Sequence, residues 1–214
     1  MEDTVRIGLS DLYAFELKND EKGNLAYGAP FKIAPAVSAS ISPSTSDDAF
    51  YADDIALISN QTISSIEVEL ETADIKDEVV ARLMGIEIDE KGVVHDNVNK
   101  VAPRVALAFR SLKSNGTYKY VVLYKGSFGV GEDSYQTKED SITFQTTTIT
   151  GTFLPTVFNG DWRASVNEDA PGADKEVINA WFEKVYGATT TDPVTTTTTT
   201  KATTTTTTTT TIGG

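Results

Sequence analysis

The sequence contains no cysteine, which excludes disulfide bonds, thiolate nucleophiles and cysteine-ligated zinc. It also has only one histidine and two tryptophans. No apolar run approaches the roughly 18 residues that a transmembrane helix needs. The first residues are acidic, where a secretory signal would carry a basic region followed by an apolar one. These absences predict a soluble protein that is made in the cytoplasm.

Positive charge is scarce as well. The 214 residues include 18 Lys and Arg against 31 Asp and Glu, a formal net charge of -13. General affinity for duplex DNA requires Lys and Arg to neutralise phosphates, so this balance argues against it. Any DNA that meets the protein is expected to slide past. The length and the 39% hydrophobic content suffice for one hydrophobic core.

The composition changes at Ala188, after which almost nothing could be buried in a core. Fifteen of the seventeen residues from Thr195 to Thr211 are threonine. Such a tract favours extended backbone but gains too little burial to offset the entropy of ordering. We therefore predict a folded domain over residues 1–187 and a disordered threonine-rich tail over 188–214. The tail could serve as a linker or stalk, or carry sugars.

Short alternating runs predict strands with one buried and one exposed face. In "SIEVELE", residues 65–71, three apolar residues alternate with three glutamates, so they lie on opposite faces of a strand. Val105, Leu107 and Phe109 alternate in the same way, and Asn115–Gly116 supplies a turn before a return strand over 118–125. Further strands are expected within residues 5–17, 31–41 and 142–153, which gives a mainly β protein with an antiparallel sheet.

Two segments predict helices instead. In "ADIKDEVVARLMG", Asp74 is the expected cap, Ile75, Val79 and Leu83 share one face, and Gly85 ends the helix. In "ADKEVINAWFEKVYG", a broad apolar stripe that includes Trp181 and Phe182 ends at Gly187. The second segment is either a helix or an arm that lies across a neighbouring subunit, because its apolar surface is large for the edge of a small sandwich.

Catalytic signals are weak. The single histidine, His95, lies in a polar stretch with turn residues and is interpreted as an exposed loop histidine. "KGSFGVGED" lacks the spacing and the trailing lysine of a phosphate-binding loop. Carboxylate pairs such as Glu67 with Glu69, or Asp53 with Asp54, could in principle hydrolyse glycosides, but such pairs are common in any acidic chain.

The segment "STSDDAFYADDIA", residues 44–56, places four aspartates around an aromatic pair. A metal site is one interpretation, although the segment lacks the alternating Asp spacing, central Gly and final Glu of an EF-hand loop. A catalytic pair and a solvated or interfacial loop are the others. From the residues alone these alternatives stay open.

The order of the segments is more specific than any one of them. Residues 50–128, from "FYADDIALIS" to "VVLYKGSF", resemble the major tail protein family of long-tailed, non-contractile bacteriophages that infect Gram-positive bacteria. The resemblance continues through "YQTKEDSITFQTTTITGTF" and "WFEKVY". It implies a β-sandwich or barrel-type tail tube fold with one flanking helix, whose subunits form sixfold rings that stack into a conduit for DNA ejection.

The resemblance also implies partners and a place of action. The partners are other copies of the chain, the tape measure protein, the tail terminator and the distal tail protein, with viral DNA passing through without specific binding. The protein would act in the virion tail, without catalysis, cofactor, metal or membrane contact. In that family the long loop between the second and third strands reaches the neighbouring ring, and residues 42–62 match that place.

Three groups of residues follow as expectations. The inter-ring docking loop comprises Asp47, Asp48, Phe50, Tyr51, Asp53 and Asp54. The lumen-facing group comprises Glu67, Glu69, Glu71, Ser38 and Ser40, because like charges on one strand face cost repulsion and would repel DNA in a bore. The C-terminal arm carries Trp181 and Phe182. The plain alternative for the glutamates is an outer, solvent-facing surface. The alternative function is a carbohydrate-binding β-sandwich with a threonine-rich surface linker.

Overall fold

A computed structural model of the chain describes residues 4–52, 55–129 and 146–191; for 47–52 and 55–61 it gives the strand pairing. The described part is mainly β, as the sequence predicts, with two short helices. The first strands are β1 (Arg6–Glu21), β2 (Asn24–Tyr27), β3 (Phe31–Lys32), β4 (Ala36–Ala52) and β5 (Ile55–Thr72). The middle elements are α1 (Asp77–Met84), β6 (Glu87–Ile88), β7 (Val94–His95), β8 (Val105–Lys113) and β9 (Tyr118–Phe128). The last are β10 (Thr147–Phe153), β11 (Arg163–Asn167), α2 (Lys175–Asn179) and β12 (Thr190–Thr191).

Ten of the strands form one sheet in the order β12-β2-β1-β8-β9-β10-β5-β4, with β3 added to β1 and β11 added to β9. The pairs are antiparallel except β12 with β2. The β8–β9 hairpin forms as predicted, and Gly116 adopts φ 82° in its turn. This left-handed conformation carries no steric cost at glycine. Strands β6 and β7 form a separate small hairpin.

The central strands are buried on both faces, because two hydrophobic clusters lie on opposite sides of β1, β8 and β9. The first cluster contains the predicted core residues Ile66, Val68 and Leu70, each fully buried, and α1 packs on it through Leu83. The second contains Ala106, Ala108 and the residues of the C-terminal segment. Residues 105–109 of β8 are therefore all buried, as in strands that are covered from both sides.

Two glycines allow β9 and β10 to pack closely. Gly151 pairs with Phe128, and Gly126 pairs with Phe153. A Cβ on Gly151 would lie 2.8 Å from the Phe128 ring, and one on Gly126 would collide with the ring of Phe153. The two rings meet edge to face with centroids 5.8 Å apart. Each ring thus covers the glycine opposite it, which fixes the pairing of the two strands.

Helix α1 is confirmed, but its expected cap is wrong. The helix starts at Asp77, its N-cap residue is Lys76, and no side chain caps it. The chain stays extended until then because the Ala73 amide donates to the Pro35 carbonyl and Ile75 is buried. The end is as predicted, since Gly85 adopts φ 69° and its amide donates to the Ala81 carbonyl. Among the described helices, none has the length and apolar character needed to span a bilayer.

The C-terminal segment covers the second cluster of its own chain. Trp181 is only 4% exposed, and its ring lies 6.0 Å from that of Tyr120, while the ring of Phe182 lies 5.2 Å from that of Tyr13. Trp181 therefore covers the second apolar face of its own chain's sheet, and contact of the C-terminal segment with a neighbouring subunit stays a prediction. Strand β12 then pairs with β2, so the folded part extends past the expected boundary at residue 187 to Thr191.

Candidate functional site

One face of the sheet is uniformly polar where β4, β5 and β10 lie side by side. Residues that pair across the strands point to the same side of a sheet, and here they form rows of Ser, Glu and Thr. The rows are Ser38–Glu71–Thr148, Ser40–Glu69–Thr150 and Ser42–Glu67–Thr152. The third row continues to Ser127 of β9. The three predicted glutamates and the two predicted serines are thus neighbours on one surface, called below the acidic face.

The acidic face is open to solvent on one side and supported by the first hydrophobic cluster on the other. Glu67, Glu69, Ser38 and Ser40 are exposed, and Glu71 is half-buried. Glu71 accepts hydrogen bonds from Ser38 Oγ at 3.1 Å and from Thr146 Oγ1 at 2.8 Å. Strands β4, β5 and β10 contain no lysine or arginine. The outward surface of these strands therefore presents carboxylates and small hydroxyls, and the strands themselves contribute no cation to balance the negative charge.

This surface extends further than the sequence analysis assigned it. Ser42, Thr148, Thr150 and Thr152 belong to it through the strand register. The signal was present in "TTITGTF", residues 147–153, where polar and apolar residues alternate. The pairing of that strand with β5, by contrast, joins residues about eighty positions apart and could not be inferred from alternation.

The second feature of the site is the hairpin formed by β4 and β5. The two strands pair from Ala36–Thr72 to Ala52–Ile55, whereas β10 pairs with β5 only from Ile66 to Thr72. Within the expected docking loop, residues 42–52 and 55–62 belong to the paired strands β4 and β5. Among the described strands, the part from residue 44 to residue 65 pairs only with itself. It spans about nine residues per strand, or ~30 Å.

Four of the six predicted docking residues lie in the described part of this hairpin. Asp47, Asp48, Phe50 and Tyr51 belong to β4 and pair with residues of β5. Asp53 and Asp54 lie outside the described residues. No lysine or arginine occurs anywhere from residue 33 to residue 75. The hairpin is thus acidic, and no basic residue lies near it in the sequence.

A buried carboxylate ties the sheet to the connection after β10. Asp20 accepts hydrogen bonds from Lys125 Nζ at 2.6 Å, from the Val157 amide at 2.9 Å and from the Phe158 amide at 3.0 Å. Burial acts to raise the pKa of Asp20, but the bond from Lys125 and the two amides outweigh it, so the pKa lies below its usual value. Asp20 was not singled out from the sequence, because its partners lie more than a hundred residues away.

Of the candidate catalytic groups, Glu67 and Glu69 are neighbours on the acidic face, and Asp53 and Asp54 lie outside the described residues. His95 is exposed on β7, with Asp89 Oδ2 3.5 Å from its Nε2. Within the described ranges, no cluster of three or more His, Asp or Glu residues could hold a metal ion. Trp181, one of the two tryptophans that a glycan-binding surface could use, is buried. The geometry offers an extended polar surface and a protruding hairpin.

Together these features define a class: a mainly β protein with an extended acidic surface and a long hairpin formed by β4 and β5. The model of the phage tail tube protein family matches residues 44–192, about two thirds of the chain. The chain belongs to that family, and it is a structural subunit of the tail tube and a component of the virion tail. Membership implies self-assembly into a tube. A search of curated proteins finds no match.

Proposed function

We propose that the chain forms sixfold rings that stack into a hollow tube, and that the acidic face lines the bore through which DNA leaves the capsid. The observation that carries this proposal is the composition of the acidic face. Three adjacent strands present only Ser, Thr and Glu to one side, and they contribute no basic residue. A passing polyanion finds no cation on these three strands. The exposed Arg104 lies at their edge, where it donates a hydrogen bond to Ser127 Oγ at 3.2 Å.

The physical requirement for a conduit is weak interaction along its whole length. Lysines on the wall would hold phosphates and release counterions, which would slow the passage of DNA. Carboxylates repel phosphates and so prevent adhesion, while serine and threonine hydroxyls keep the surface hydrated. Repeating three glutamates per subunit around a ring would give a continuous negative potential. A free monomer gains nothing from adjacent like charges, which destabilise it slightly.

Assembly in this proposal starts in the host cytoplasm, from soluble subunits, on a scaffold of other tail proteins. The tape measure protein would set the length, and the distal tail protein and the tail terminator would close the two ends. The net charge of -13 keeps free subunits apart until such a nucleus is available. Hydrogen-bonding groups at the edge strands β4 and β12 would be available for contacts between subunits.

Charge reversal in the bore tests the proposal. We expect phage carrying Glu67→Lys, Glu69→Lys and Glu71→Lys to build tails of normal length but to eject DNA at least about tenfold more slowly, because the wall now binds phosphates. The matched control reverses three exposed glutamates outside the acidic face, Glu21, Glu90 and Glu183. Equal ejection rates for the two triple variants would contradict the proposal.

A further inference from the structure

A cavity of about 290 Å³ opens beside α2, within the C-terminal segment that covers the second cluster. Its lining comes from residues 174–188, which lie apart from the acidic face and from the β4–β5 hairpin. Six of the lining residues are Asp174, Glu176, Val177, Trp181, Lys184 and Tyr186. Small-molecule sites in proteins have volumes from about 300 Å³ and combine aromatic side chains with a few polar groups. The cavity has this size and this composition.

Tyr186 is an exposed aromatic residue that its neighbours hold in place. The residue is 51% exposed, and its ring stacks on that of Trp181, with centroids 5.9 Å apart and planes 14° from parallel. Trp181 is itself fixed, because it is buried and its Nε1 donates to the Val121 carbonyl. Shortly after Tyr186, the Thr189 amide donates to the Leu25 carbonyl. A ligand would therefore meet an aromatic ring that is already in position, which lowers the cost of ordering the site.

Three charged side chains line the same cavity. Asp174, Glu176 and Lys184 are all exposed. Asp174 Oδ1 accepts a hydrogen bond from the Glu176 amide at 2.8 Å, and its Oδ2 accepts none from the described residues. Within the described part of the chain, none of these three side chains forms an ion pair. The cavity thus offers carboxylate acceptors and an ammonium donor that the fold itself leaves uncommitted.

The charges and the aromatic ring together restrict the class of ligand. An organic anion would be repelled by two carboxylates, and an organic cation would be repelled by Lys184. An apolar ligand would cover charged groups without giving them hydrogen-bond partners. The hydroxyls of a saccharide both donate and accept, so they match carboxylates and an ammonium group alike. The C–H face of a sugar ring is flat enough to lie on the ring of Tyr186.

We infer that this cavity binds one ring of a neutral saccharide. The Tyr186 ring lies under the C–H face of the sugar, and Asp174, Glu176 and Lys184 hydrogen-bond to its hydroxyls. Hydrogen bonds to ionised groups are stronger than neutral ones. A single ring is expected to bind with a Kd of about 1 mM, and many subunits in one tube would raise the apparent affinity for a polysaccharide. This activity goes beyond the conduit, because it needs neither the acidic face nor passing DNA.

The test titrates the full-length protein with small probes and follows the NMR signals of its aromatic side chains. The saccharide probes are methyl glucoside and N-acetylglucosamine. Glucitol is the control probe, because this open-chain polyol has similar hydroxyls but no flat ring face. We expect at least one saccharide to bind more tightly than glucitol, by about tenfold. If neither saccharide binds more tightly than glucitol, or if tetramethylammonium binds more tightly than both, the inference is overturned.

Variants locate the binding at the cavity. Tyr186→Ala should weaken saccharide binding by about tenfold, whereas Tyr186→Phe keeps the ring and should stay within about twofold of the wild type. Glu176→Ala removes an acceptor and should weaken binding by about fivefold. Its matched control is Glu183→Ala, which removes an exposed carboxylate outside the cavity and should bind as the wild type does. Circular dichroism and the unfolding midpoint check that each variant folds.

Two results of these titrations contradict the assignment. Wild-type affinity in folded Tyr186→Ala, or equal affinities in Glu176→Ala and Glu183→Ala, would mean that the saccharide binds elsewhere. The second comparison decides the matter if Tyr186→Ala does not fold. The proposed function is tested separately, because saccharide binding is measured on the isolated subunit and DNA ejection on the phage. A failure of one therefore leaves the other standing.

Discussion

Asp20 shows how much a single side chain holds in this sheet. Its carboxylate receives three donors, from Lys125 and from the amides of Val157 and Phe158, and so joins β1, β9 and the connection after β10. Replacing this carboxylate with a neutral side chain leaves its three donors without a charged acceptor. Hydrogen bonds to charged groups contribute about 1.5 to 3 kcal/mol.

We expect Asp20→Asn to lower the free energy of unfolding by about 2 kcal/mol at pH 7. Because the folded-state pKa is depressed, the contribution is fully present above the unfolded pKa of about 3.9 and is lost as the pH falls through the folded value. Urea unfolding of the subunit at pH 7 and near pH 3 measures both effects. Glu21→Gln, an exposed neighbour, is the control. A difference between wild type and Asp20→Asn that stays constant from pH 7 to pH 3 would contradict this role.

At the scale of elements, we expect the C-terminal segment to contribute strongly to the free energy of unfolding of the subunit. Trp181 fills the second cluster, and its Nε1 donates to the Val121 carbonyl at 3.4 Å. We expect Trp181→Ala to destabilise the isolated subunit by about 3 to 5 kcal/mol, as large-to-small changes in a core do, and urea unfolding of the monomer measures it. Val157→Ala, at a valine that is 55% exposed, should cost little. An arm that packs on a neighbour would instead leave monomer stability unchanged and impair assembly alone.

The elements also show what the sequence can and cannot predict. Alternation correctly predicts the buried and exposed sides of residues 65–71, because a strand has a strict period of two. The same rule assigns only Val105, Leu107 and Phe109 to the core, yet Ala106 is buried as well, since the C-terminal segment covers the other face. Which surface a distant segment covers depends on the tertiary structure and does not follow from local alternation. The Asp74 cap is wrong for the same reason, since Ile75 is buried in the core before the helix begins at Asp77.

The residues of the candidate site also differ in whether the sequence alone could predict them. The acidic face could be predicted because its glutamates lie on one strand and its character follows from local alternation. The threonines of β10 could not be assigned to it, because only the pairing of β10 with the distant strand β5 places them beside the glutamates. The resemblance places a loop at residues 42–62, where the structure describes the paired strands β4 and β5 over 42–52 and 55–62. The backbone hydrogen bonds between β4 and β5 depend on which residues of the two strands pair, and the pattern of polar and apolar residues does not specify this pairing.

At the scale of the whole molecule, the charge distribution connects solubility, assembly and passage of DNA. The net charge of -13 keeps free subunits apart. One acidic surface would face the bore, and the buried hydrophobic residues form two internal clusters. Such a subunit can stay soluble alone and still polymerise once complementary surfaces are presented at high local concentration.

The most direct test is an electron cryomicroscopy map of tubes assembled from the full-length protein. We expect rings of six subunits around a hollow bore, with Glu67, Glu69 and Glu71 of every subunit directed into it. A map in which these glutamates lie on the outer surface or inside a subunit contact, or a protein that forms no tubes with its tail partners, would contradict the assignment of the acidic face to the DNA conduit.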